Sequence, residues 1–231
     1  MRGRLAEAMM PSLIGRAKGV LLMETDTTDP PSNLRLEDDI FARVDRGEAD
    51  AVLRFWKDDE CLVRGRAKSV RYGWYAEEAA ARLSVPVYER STGGGVVYHG
   101  PGNLNWSFFA RVDGRLLSPS RVFADGSWTI IEALRRLGFP ASLAPPNRID
   151  VDGKKVSGMA ARSTIHALLV HGTLLIDADI GKIDELCIPP PGCPPVSNLS
   201  AWRKVDDREV VAAARRVLEE AGLRVSEAER W

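Results

Sequence analysis

The stretch RSTGGGVVYHGPGNLNWSF, residues 90–108, decides how the chain is read. A strand over residues 85–90 runs into a loop at 91–95, extended structure resumes over 96–98, and a turn at 99–102 leads into another strand. Gly93, Gly94 and Gly95 permit positive φ and present no β-carbons, so their backbone N–H groups can close around a phosphate or carboxylate. The loop lacks the Gly-Lys-Ser/Thr of a Walker loop. Nor does it open a helix as a dinucleotide-binding Gly-x-Gly-x-x-Gly would. By itself a triple glycine is more often a turn or bulge than a ligand site. From Asn103 the chain alternates, with Leu104, Trp106 and Phe108 on one side and Asn103, Asn105 and Ser107 on the other. That pattern predicts a half-buried strand whose polar side faces a ligand.

Working outward, residues 19–24 read as a strand and 25–32 as a loop. A helix is predicted over 33–44, burying Leu34, Leu36, Ile40 and Phe41. The apolar runs 51–56 and 60–64, parted by the polar residues 57–59, predict a strand pair with a tight connection. Helices are predicted over 75–83, over 127–137 with Gly138 as terminator, and over 205–221 between Asp206 and Gly222. Residues 165–176 read as a central strand. Prolines at 189, 190, 191, 194 and 195 make the segment around Cys187 and Cys193 a loop.

Asp152 and Gly153, between strands at 148–151 and 154–156, are the two-residue signature of a type I′ hairpin. The turn delivers Lys154 and Lys155 to opposite faces of a strand. A lysine held there can neutralise a carboxylate and an α-phosphate that otherwise repel each other. Lys154 reads as a solvated turn residue, while for Lys155 both readings stay open. His99, His166 and His171 lack helical metal-ligand spacing and have no metalloprotease carboxylate beside them, so no protein metal site is predicted. Asn103, Asn105 and Asn147 are candidate ligand contacts or turn residues.

Lys plus Arg and Asp plus Glu are 32 each in 231 residues. That balance provides no long-range field for nucleic acid or an anionic membrane. Three cysteines without a secretory leader predict a reducing compartment, and the cytoplasm is the expected location. Met1 to Arg4 begin like a leader, but Pro11, Arg16 and Lys18 interrupt any apolar core that could follow. No stretch approaches the roughly 18 apolar residues of a membrane span.

Taken together, residues 90–108 and 147–177 (NRIDVDGKKVSGMAARSTIHALLVHGTLLID) resemble the lipoate-protein ligase family, within the superfamily shared with biotin ligases and lipoyl(octanoyl) transferases. Weaker similarity runs from NLRLE (33–37) through VRGR (63–66) to VSNL (196–199), so the resemblance covers most of the chain. It implies an α+β fold, a mixed β-sheet flanked by helices, in a single catalytic domain without a carboxy-terminal accessory domain. It also implies ATP, Mg²⁺ and lipoate or octanoate as reactants, an acyl-adenylate intermediate, and transfer to a lysine. The implied acceptor is a lipoyl domain of the 2-oxoacid dehydrogenase E2 or glycine-cleavage H type. Lys155 matches the invariant catalytic lysine. Arg90, Gly93, Gly94, Gly95, Val96, Val97, Tyr98 and His99 match the nucleotide-contacting stretch, with Asn103 and Asn147 as further ligand candidates. Gly158 and Ala160 leave room for the ligand, and His171 and Thr173 match the family's His-Gly-Thr strand. Trp106, Val97 and Leu169 are candidate tunnel walls, with core packing as the competing explanation for each.

Some residues depart from the ligase pattern. A second arginine and a serine usual in the loop are missing, and HGPG (99–102) resembles the transferase branch. Similarity to split archaeal-type ligases implies a separate small accessory subunit. Three rival readings follow: an ATP-independent transferase using Cys187 or Cys193 as a thioester nucleophile, a biotin ligase, and a non-catalytic acyl-binding relative.

Overall fold

The computed structural model describes residues 17–66, 74–112, 114 and 117–228. The leader-like residues 1–4, with Pro11 and Arg16, lie outside the described residues. The first strand, β1 (Gly19–Glu24), leads to helix α1 (Pro30–Asp45). This helix starts three residues before the predicted one, because Pro30 and Pro31 occupy first-turn positions that need no N–H partner. The Asp29 side chain caps it by accepting from Ser32 N at 2.9 Å.

Two strands follow, β2 (Ala51–Trp56) and β3 (Cys61–Gly65), then helix α2 (Glu77–Arg82). Next come β4 (Val87–Arg90), β5 (Val96–His99), β6 (Asn103–Arg111) and helix α3 (Pro119–Arg136). Strands β7 (Ala141–Ala144), β8 (Arg148–Val151), β9 (Lys154–Ser163) and β10 (Ala167–Leu175) form a meander. The described chain ends with α4 (Ile180–Leu186), α5 (Asp207–Glu220) and β11 (Arg224–Glu227).

Eight strands form one sheet in the order β11-β1-β2-β6-β10-β9-β8-β7, and β4-β3-β5 form a second. Within the large sheet β1 runs parallel to both its neighbours and every other pair is antiparallel, so the sheet is mixed. Helices α3 and α5 bury their apolar stripes on one face, against Leu53, Phe55, Trp106, Phe108 and Val170. Helix α1 covers part of the opposite face through Ile40, Phe41 and Val44. Among the described residues no helix is long and apolar enough to cross a membrane.

Two expectations are corrected. β2 and β3 are strands but not a pair: β2 lies between β1 and β6, while β3 joins β4 and β5 in the small sheet. The polar connection is pinned to the start of α1 instead of folding back on itself. Asn33 Nδ2 donates to Lys57 O and Asp58 Oδ1, and Asp59 N donates to Thr28 O. The second correction concerns β6, which is buried on both sides along residues 103–110. Its polar residues are covered because α1 and the small sheet bring partners for them, satisfying the rule that buried polar groups be hydrogen-bonded. Helix α3 also starts well before residue 127, with Ser118 as its cap and Pro119 in its first turn.

Candidate active site

Between the small sheet and the α1-facing side of the large sheet lies a cavity of about 680 Å³. Its floor follows from strand register. One row across four strands reads Gly158, Thr173, Asn105, Trp56, and the next reads Ala160, His171, Ser107, Arg54. Cross-strand neighbours share a face, so one sheet surface carries two rows that, apart from Trp56, are either small or polar. Apolar walls come from Leu34, Val63, Val97, Leu175 and Ile183.

Lys155 enters at one side. Asp152 (φ 47°) and Gly153 (φ 76°) both have positive φ, as the type I′ turn requires. Lys154 points to solvent, its ammonium 5.9 Å from the Trp202 ring centroid. Lys155 is half-buried and borders the cavity. Its backbone holds the proline-rich loop: Lys155 N donates to Pro195 O at 3.2 Å and Ser197 N donates to Lys155 O at 2.9 Å. The side chain folds back over Gly158, where an added β-carbon would lie 2.9 Å from both Lys155 Cε and Nζ. Among the described residues the Lys155 ammonium has no ion-pair partner, since nearby Asp150 is taken by Arg148 at 3.0 Å.

The glycine loop is held from two sides. Gly65 N donates to Gly95 O at 3.0 Å and Arg66 N to Thr92 O at 3.1 Å. A β-carbon on Gly65 would lie 2.7 Å from the Gly93 carbonyl carbon, so the close approach depends on glycine there. Arg90 donates to Thr92 Oγ1, Val63 O, Gly93 O and Gly95 O at 2.9–3.0 Å. Burial lowers the Arg90 guanidinium to about 10, opposed by the Glu37 charge, so it remains a cation near neutrality. Arg90 therefore spends four N–H contacts on shaping the loop.

On the same side of the large sheet two buried carboxylates each reach a threonine through an imidazole. His171 Nδ1 donates to both Glu37 oxygens at 2.9 Å, and His171 Nε2 lies 2.8 Å from Thr92 Oγ1. Thr92 Oγ1, which also accepts from Arg90 Nε, closes this chain. Burial pushes the Glu37 carboxyl up, but the His171 charge and hydrogen bond, the Ser107 hydrogen bond and the Arg54 charge outweigh it and hold it well below the usual range. In the second chain His99 Nδ1 lies 2.8 Å from Asp58 Oδ2, and His99 Nε2 lies 3.0 Å from Thr173 Oγ1. Asp58, Cys61 and His99 are close enough to suggest a metal. Yet both Asp58 oxygens and both His99 nitrogens already have hydrogen-bond partners, and burial followed by the neighbouring carboxylates pushes the Cys61 thiol up. The arrangement is a hydrogen-bonded chain.

All the predicted site residues border the cavity except Gly93 and Asn103. Gly93 turns to solvent with nothing near its would-be β-carbon. Asn103 sits behind the wall, closing the preceding turn by donating to Tyr98 O at 2.7 Å. Tyr98 donates its phenol to Glu60 Oε1 at 2.6 Å. Asn147 donates to Met159 O. Of the three tunnel candidates only Val97 borders the cavity; Trp106 and Leu169 are packed in the cores on either side of the sheet. The sequence reading missed Trp56, Gly65 and the lining role of the proline loop. VRGR (63–66) carried a signal for Gly65, whereas the proline loop carried one only in its two cysteines. Cys187 and Cys193 both border the cavity. Burial pushes the Cys187 thiol up to about 11, only partly opposed by Lys155.

This two-sheet architecture is the fold of lipoate-protein ligase catalytic domains. It superimposes on the bi-partite lipoate protein ligase of Thermoplasma acidophilum with a TM-score of 0.76 at 20% identity, covering 92% of this chain and 88% of that one. A lipoate-protein ligase A solved bound with ATP gives 0.75 at 24% identity, covering 93% and 90%. The lipoyl protein ligase A/B catalytic domain profile matches residues 29–215, and the chain belongs to that family. A Bacillus subtilis lipoate-protein ligase, LplJ, is 33% identical over 159 residues, 67% of this chain and 45% of that protein. The chain spans about half the length of several curated relatives it matches.

Proposed function

We propose that the protein activates lipoate or octanoate with ATP as an acyl-adenylate and transfers the acyl group to a lysine of a lipoyl-acceptor domain. The observation that carries this reading is the Lys155 ammonium, without an ion-pair partner among the described residues, in one cavity with the backbone of Gly94 and Gly95. Joining a carboxylate to an α-phosphate brings two anions together. An ammonium with no carboxylate of its own is free to offset both as they meet. The glycine backbone can approach phosphate oxygens without steric cost, and the apolar wall from Val97 to Leu175 suits an alkyl chain.

Asp184 is the carboxylate bordering the cavity among the described residues. It is the side chain that would help hold Mg²⁺ alongside the substrate phosphates, where the ion supplies charge neutralisation. A lipoyl-domain acceptor, of the E2 or H type, is our reading, and a bi-partite relative studied with its E2 lipoyl domain supports a lipoyl domain in that role. The greater length of the curated relatives and that bi-partite relative support an accessory domain, in cis or as a separate subunit.

Against the thioester transferase stands the raised Cys187 thiol, since nucleophilic attack needs the thiolate. The test is incubation with lipoate, Mg²⁺ and a lipoyl domain, with and without ATP. Lipoyl-AMP or modified acceptor is expected only with ATP, absent in Lys155→Ala, and retained in Cys187→Ser and Cys193→Ser. ATP-independent acylation lost with either cysteine would replace this reading by the transferase.

A further inference from the structure

The two carboxylate–imidazole–threonine chains end differently. Glu37–His171–Thr92 ends on the glycine loop, with both His171 nitrogens committed. Asp58–His99–Thr173 ends at a hydroxyl on the cavity floor. Thr173 is the cross-strand partner of Gly158, over which the Lys155 ammonium hangs. Paired residues share a face with β-carbons about 5 Å apart, so Thr173 stands on the same cavity face as that ammonium, one strand across from the residue it hangs over. In the resting arrangement Thr173 Oγ1 donates to Asn105 Oδ1 at 2.9 Å while lying 3.0 Å from His99 Nε2. A hydroxyl hydrogen rotates, so Thr173 can donate to either.

We propose that Thr173 is the catalytic proton acceptor for the amine in the transfer step, with His99 and Asp58 as positioning residues that act through it. This rests on the acyl-transfer reading above. The neutral amine attacks the acyl carbonyl held at Lys155, forming the C–N bond. The C–O bond to the phosphate breaks, and AMP leaves with that electron pair. The N–H proton released by the amine passes to Thr173 Oγ1 as the threonine's own hydrogen passes to His99 Nε2. Asp58 Oδ2 stabilises the imidazolium until it loses its proton to water, the division of labour seen in hydroxyl–imidazole–carboxylate triads. The other groups bordering the cavity suit this task less well: His171 is turned to the loop, Cys187 is a thiol, and Asp184 is exposed.

The test separates the half-reactions in single turnovers, measuring acyl-adenylate formation from ATP, then transfer from preformed acyl-adenylate to a lipoyl domain. Thr173→Val is expected to slow transfer by about 10²-fold or more while leaving adenylate formation near wild type, and Thr173→Ser is expected to restore transfer. Asp58→Asn is expected to show the same split more weakly. With hydroxylamine as acceptor, whose adduct nitrogen loses its proton without help, Thr173→Val is expected to match wild type. Equal slowing of both half-reactions, or an undiminished loss with hydroxylamine, overturns the proposal. If Thr173→Val fails to fold, as its melting curve would reveal, Asp58→Asn decides on the same criteria. A wild-type protein that neither makes nor consumes acyl-adenylate refutes the acyl-transfer reading, and this proposal with it.

Discussion

Replacing Gly158 with alanine is the sharpest probe of the Lys155 geometry. The new β-carbon would sit 2.9 Å from Lys155 Cε and Nζ, where ordinary contact is 3.4–4 Å. The ammonium must therefore move by roughly 0.5 to 1 Å, and misplacement of that order costs about 10²-fold where charge develops. The fold has little reason to respond, because Gly158 does not have a positive φ and the clashing atoms end a flexible side chain. Acyl-dependent pyrophosphate release is expected to fall about 10- to 10²-fold, with stability within about 0.5 kcal/mol of wild type by urea titration. The mechanism also fixes a coupling, read as ATP and lipoate affinity by calorimetry: in a Lys155→Ala background there is no ammonium to displace, so Gly158→Ala should cost nothing further in binding. Wild-type activity in the single variant refutes the reasoning. An undiminished loss in the double variant would assign Gly158 to ligand space instead.

Other expectations follow from the buried network and the loop. The Glu37 carboxyl is pushed up by burial, but His171, Ser107 and Arg54 outweigh this and hold it at about 2. A folded pKa below the unfolded one gives stability that is present above about pH 4.5 and lost as pH falls toward about 2, at most about 3 kcal/mol. Glu37→Gln should thus be less stable near neutrality but flatter against acid in urea titrations from pH 6 to 3; parallel curves would remove Glu37 from the acid response. Gly65→Ala sets a β-carbon against loop backbone that cannot rotate away, 2.7 Å from the Gly93 carbonyl carbon. ATP affinity by calorimetry should drop while the far-ultraviolet spectrum is unchanged, and unaltered affinity would mean that this loop does not cradle the nucleotide.

Much of the fold was legible because it depends on local chemistry. Asp152 and Gly153 announce their turn through the positive φ that both adopt. Asp206 and Gly222 bracket α5, with a complete capping box at its start and positive φ past its end. Alternation placed Trp106 and Phe108 on one face of β6 correctly. It left the other face open to a ligand: Asn105 does border the cavity, but that face is buried, because partners for Ser107 and Asn105 come from residues as distant as Glu37 and Thr173. The β2–β3 error has the same origin. Two apolar runs near each other in sequence predict a hairpin, but Asn33 captures the connection from the far side.

What the sequence determined by itself was the inventory of the site: a flexible glycine loop, a hairpin that divides two lysines between faces, and a strand bearing His171 and Thr173. Each is set by the conformational range or periodicity of a few adjacent residues. Only the tertiary structure decided which atoms meet. It turned Arg90 inward onto its own loop, hung Lys155 over Gly158, brought the proline loop across the cavity, and joined Asp58 to Thr173 through His99. Those contacts bind together segments far apart along the chain. Their distances follow from strand register and layer packing, which no short window of sequence encodes.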